Sequence, residues 1–97
     1  MTIYLPKSFE GCKETELSTK VPVTLGEHDC PPYRASYCQG MFILCQPIGA
    51  DWYSVGHWPA AAILAKPAPK LLSIDFGQQW SALITPELLN KLKEVAV

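Results

Sequence analysis

The sequence predicts an α+β fold, a small and mostly antiparallel sheet with a C-terminal amphipathic helix packed on it. Three observations carry this. Met41-Phe42-Ile43-Leu44-Cys45 is an unbroken apolar run held between Gly40 and Pro47, too short for a typical helix and suited to a strand buried on both faces. Leu71 to Phe76 alternates apolar and polar after its first residue, the period of a half-buried strand. Thr85-Pro86-Glu87 then opens a stretch with helical spacing of leucines.

Taken in order, Thr2 to Leu5 reads as a short strand stopped by Pro6. Lys7 to Lys20 mixes charge with Gly11 and small polar residues and reads as a loop with at most a helical turn. Val21 to Leu25 favours a strand, and Pro22, which has no N–H to give, places it at a sheet edge. Gly26 to Pro32 is turn chemistry. Tyr33 to Cys38 alternates loosely and is set to pair with the Met41 run as a hairpin across Gln39-Gly40. A tight turn at Gln46-Pro47-Ile48-Gly49 leads into Asp51 to Trp58.

Pro59 followed by three alanines favours a short helix. Lys66-Pro67-Ala68-Pro69-Lys70 reads as an extended, exposed connector. Gly77 breaks the Leu71 strand, and Gln78 to Ile84 returns as a strand carrying Trp80. In the last helix Thr85 is the N-cap, Pro86 the first helical residue, and Ile84 a staple against Leu89. Leu88, Leu89, Leu92 and Val95 form the apolar stripe, with Glu87 and Lys91 spaced for an ion pair.

The 97 residues make a single domain, 1–97, in which residues 1–20 are the part least constrained by pattern. A 48% hydrophobic and 18% charged chain belongs with compact proteins. Its net charge of −1 argues against direct nucleic-acid binding, which needs uncompensated Lys and Arg to displace phosphate counterions. From Gln39 to Ala65 Asp51 is the only charged residue, yet Gln46, Pro47 and Pro59 interrupt the stretch well short of the ~20 apolar residues of a membrane span. No basic n-region precedes the first apolar residues, so the expected setting is cytoplasmic and reducing, with free thiols.

Four constellations could carry chemistry. His28, Cys30, Cys38 and Cys45 are zinc-ligand types and define one alternative, a zinc-stabilised adaptor, although the usual paired spacing is missing. A cysteine nucleophile, Cys30 or Cys38 activated by His28 or His57, defines a second, a thiol-dependent enzyme. No G-x-S-x-G, phosphate loop or G-x-G-x-x-G occurs. The expectation is therefore a protein that is not an enzyme and takes no cofactor.

The third constellation is aromatic: Trp52, Tyr53 and Trp58, with Tyr33, Tyr37 and Trp80. Trp and Tyr bury large area at small rotamer cost and dominate binding hot spots. Strand neighbours point to opposite faces, so with Trp52 inside, Tyr53 is outside, or the reverse. The fourth is the nine prolines, with Trp58-Pro59, Lys66-Pro67 and Ala68-Pro69 as candidates for a cis bond. The candidate partner-binding residues are Trp52, Tyr53, Trp58, Lys66, Pro67, Pro69 and Lys70. Together they point to binding and modulation of a larger protein.

In size and character, and in its exposed Lys66-Pro67-Ala68-Pro69-Lys70 stretch, the chain resembles the small accessory proteins of temperate phages, in particular the anti-RecBCD proteins of P22-like phages. That resemblance implies a non-enzymatic inhibitor in the host cytoplasm that binds the RecBCD helicase–nuclease through RecC. It also implies association with a host prolyl isomerase at Pro67 or Pro69.

Overall fold

A computed structural model describes residues 2–9, 12, 17, 19–75 and 79–96. It has an α+β architecture, but with two sheets in place of the single one expected. The strands are β1 (Ile3–Tyr4), β2 (Thr19–Val21), β3 (Thr24–Leu25), β4 (His28–Asp29), β5 (Tyr33–Cys38), β6 (Met41–Ile48), β7 (Asp51–Pro59), β8 (Leu71–Asp75) and β9 (Gln79–Leu83). The helices are α1 (Ala60–Ile63) and α2 (Pro86–Val95), with a 3-10 turn at Lys7–Phe9. One sheet runs β1-β7-β6-β5-β2 and the other β4-β3-β9-β8, antiparallel except where β1 pairs with β7.

β6 is the central strand of the larger sheet, and Phe42, Ile43, Leu44 and Cys45 are all buried. Alternation splits them. Phe42 and Leu44 face the main core, with Tyr33, Ala35 and Val55 beside them, Leu72, Ile74 and Ala82 from the second sheet, and Leu88 and Leu92 from α2. Ile43 and Cys45 face a smaller core closed by Phe9 and Leu17. Burial on two faces is therefore what the unbroken apolar run records.

The hairpin between β5 and β6 turns at Gln39 and Gly40, both with positive φ (55° and 77°), the primed turn whose twist matches the strands. The next turn differs from expectation. β6 continues through Gln46, Pro47 and Ile48, and the reversal falls at Gly49, φ 60°, and Ala50. Pro47 is tolerated because its partner Trp52 directs its backbone the other way, the Trp52 N–H donating to the Thr2 carbonyl at 2.9 Å.

The Val21–Leu25 run also differs. Pro22 and Val23 interrupt it, so Thr19–Val21 edges the first sheet while Thr24–Leu25 lies inside the second, between β4 and β9. Gly26 and Glu27 form the turn into β4, inside the stretch expected to be turn alone. Pro59 closes β7 and caps α1 rather than opening the helix. The Lys66–Pro67 bond is cis. Phe76, Gly77 and Gln78, including the expected strand break, lie outside the described residues.

The Thr85 side chain caps α2 by accepting from the Leu88 N–H at 3.1 Å, with Pro86 in the first turn. Leu88 and Leu92 are buried, while Ile84, Leu89 and Val95 pack against the same core. Lys91 pairs with Glu94 at 3.6 Å rather than with Glu87, an exposed pair that contributes little.

Candidate functional site

A cavity of about 530 Å³ opens where the two sheets meet, between β7 and the β8–β9 hairpin. Its wall includes Pro6, His57, Trp58, Ser73 and Trp80, and carries no Lys, Arg, Asp or Glu among the described residues. β1 ends at Tyr4 and Pro6 leads the chain off β7, which leaves room beside Ser54 to Trp58. A β-bulge between Leu44 and Cys45 re-aims β7 at the same level. Trp58 is half-buried and packs against the main core, and its ring lies over Gly56. Trp80 is 49% exposed on the far side.

Of the expected partner-binding residues, only Trp58 lines this cavity. Trp52 turns inward onto the smaller core, and the Arg34 guanidinium sits 4.5 Å from its ring centroid. Tyr53 takes the opposite side and stacks on Tyr4, rings 4.5 Å apart and 10° from parallel. The expected split between these neighbours therefore exists, with Trp52 as the inner residue. Lys66, Pro67 and Lys70 are exposed and Pro69 half-buried, on a connector separate from the cavity wall. The expected aromatic face divides into a tyrosine stack and a tryptophan groove, with the proline connector as a third surface.

Desolvation raises the Tyr53 hydroxyl above its ordinary value, with Tyr4 and Asp51 adding to the shift.

The structure does not assemble the zinc set. His28 is exposed on β4, Cys30 packs on the main core and Cys45 lies buried in the smaller one. Cys38 is disulfide-bonded to Cys12, which corrects the expectation that all four thiols are free. Strand alternation points Cys38 to the face that the N-terminal segment covers, and this brings Cys12 to it. Among the described residues no three His, Cys, Asp or Glu side chains gather in a way that could hold a metal.

The Cys38 and His57 parts of the thiol alternative are engaged elsewhere. Cys38 is spent in the disulfide, and the His57 ring packs edge-on against Phe9 at 5.2 Å. Cys30 lies beside the buried Tyr33 and helps to raise its hydroxyl, after desolvation. Burial pushes the Cys45 thiol up to about 12, so it carries almost no thiolate near neutrality.

Comparison with protein-family models, with curated proteins and with solved structures found no match for the chain. The site is thus read from its own geometry. The sequence puts Trp80 in the aromatic set but not among the partner-binding candidates, offers His57 only as a base for a cysteine, and gives Ser73 no role. The available signal was Gly56 two places before Trp58, since a glycine inside a strand often marks a close approach of another group.

Proposed function

We propose that this chain is a non-enzymatic binding module that docks on a larger protein and modulates it. The observation that supports this reading is the tryptophan groove. Trp80 is half exposed beside an uncharged cavity of a size that ligand sites commonly have. Large aromatics held in place by a sheet are suited to binding because little rotamer freedom is lost when they are covered.

The partner we propose, from the resemblance, is the host RecBCD complex, engaged through RecC in the host cytoplasm. The exposed Lys66–Lys70 connector is the proposed docking point for a host prolyl isomerase, with Pro67 the more open of its two prolines.

Trp80→Ala tests the reading. Trp80 lies outside both cores, so thermal stability should change by no more than about 0.5 kcal/mol. Affinity for purified RecBCD should fall by about tenfold or more, the loss expected of a hot-spot tryptophan. Unchanged RecBCD affinity in a folded Trp80→Ala protein would remove the groove from the binding surface.

A further inference from the structure

We propose that the groove receives an extended, uncharged segment of the partner protein as an added strand on the free edge of β7. This rests on the binding reading above and names its mode. β1 pairs with Trp52 and Tyr53 only, and among the described residues no strand pairs with the rest of β7 on that side.

Hydrogen-bond alternation fixes which groups look into the opening. The Ala60 N–H donates to the Gly40 carbonyl at 2.9 Å, which sets Trp58 and Gly56 as the residues whose backbone bonds to β6. The N–H and C=O of His57, between them, point outward. The same reasoning applies across the groove, where β8 is the last strand of its sheet. The Ile84 N–H donates to the Lys70 carbonyl at 2.9 Å, so Leu72 and Ile74 bond to β9 and the backbone of Ser73 faces away from it. The Ser73 carbonyl oxygen indeed lies beside Gly56.

The donor and acceptor of His57 therefore open onto the cavity, and across it the Ser73 carbonyl is packed against Gly56. That pattern recognises a peptide backbone, which offers the same two groups at strand spacing. The walls select against charge: with no cation or carboxylate beside it, an ionic side chain would lose hydration without a partner. Trp58 and Trp80 offer apolar area to alternate side chains of the guest. Natural edge strands are commonly protected by charged residues, and Ser54 to Trp58 holds no Lys, Arg, Asp or Glu.

The test uses the full chain and a set of end-capped hexapeptides alternating Val or Ile with Thr or Ser, followed by amide NMR. Binding should shift the His57 and Ser73 amides and slow their exchange. N-methylation of one alternate set of peptide amides should weaken binding about tenfold, and of the other set about twofold or less, because only one set faces β7. Ser73→Pro should weaken binding without loss of the β8–β9 ladder, since the lost N–H lies outside it. If that variant does not fold, the N-methylated peptides give the answer on the native chain.

The proposal is overturned if none of the peptides binds, if both methylation patterns bind alike, or if the shifts fall on Tyr4 and Tyr53 instead. It is equally overturned if sedimentation shows that the edge is filled by a second copy of this chain. Loss of RecBCD binding in Trp80→Ala alongside any of these results removes the strand mode and leaves the binding reading standing.

Discussion

The indole of Trp58 lies across the α-carbon of Gly56, two residues earlier on β7, so closely that a methyl group at position 56 would overlap the ring. The Ser73 carbonyl oxygen comes within 3.4 Å of the same side-chain position. One residue without a side chain thus lets a ring and the neighbouring sheet meet at a point. The cavity has its tryptophan wall because Gly56 leaves the ring room to lie down.

Gly56→Ala should therefore destabilise the protein by about 1–3 kcal/mol, the usual cost of overpacking. The general effect of Gly→Ala where the backbone tolerates it has the opposite sign, about 0.4–1 kcal/mol of stabilisation through the unfolded chain. Contact with Trp58 decides between them. Thermal unfolding of Gly56→Ala, Trp58→Leu and the double variant checks this. The double variant should be more stable than the two separate losses add up to.

Alkali should unfold the protein through two buried groups. Burial pushes Cys45 up from an ordinary 9.0 to about 12. Tyr33, desolvated and beside Cys30, rises from 10.0 to about 12. Both are neutral when protonated, so the unfolded chain releases these protons first as pH rises. Their contribution is complete below pH 9 and is lost toward 12, with Cys45 leading and Tyr33 following above 10. Denaturant titrations across that range should show the decline, and Cys45→Ala, less stable near neutrality, should flatten its first part.

Reducing the Cys12–Cys38 bond should lower stability by about 3.5 kcal/mol, the chain-entropy expectation for a separation of 26 residues. The bond ties the N-terminal segment to β5 over the core that holds Ile43 and Cys45. Cys12→Ser should reproduce the loss and make the melting temperature insensitive to reductant. A wild-type melting temperature that ignores reductant would show that Phe9 and Leu17 hold the segment alone.

Much of this architecture depends on neighbours only a few residues apart, and that part could be read directly. An apolar run too short for a typical helix suits a strand covered on both faces, and Phe42 to Cys45 are all buried. Gln39-Gly40 admits positive φ, Leu72 and Ile74 alternate with exposed neighbours, and Thr85 reaches the N–H of Leu88 within one helical turn. Each of these rests on local geometry, which residue type and spacing specify.

Which surface covers which is a different kind of question. Period says that a face is apolar and is silent about what lies on it. The parting of Val21 from Thr24 into separate sheets, the meeting of Cys12 with Cys38, and the approach of Ser73 to Gly56 beside one cavity all depend on residues distant in the chain. Those pairings were settled by which arrangement satisfies both the backbone hydrogen bonds and the two cores at once, a condition on the whole chain that no short window of residues contains.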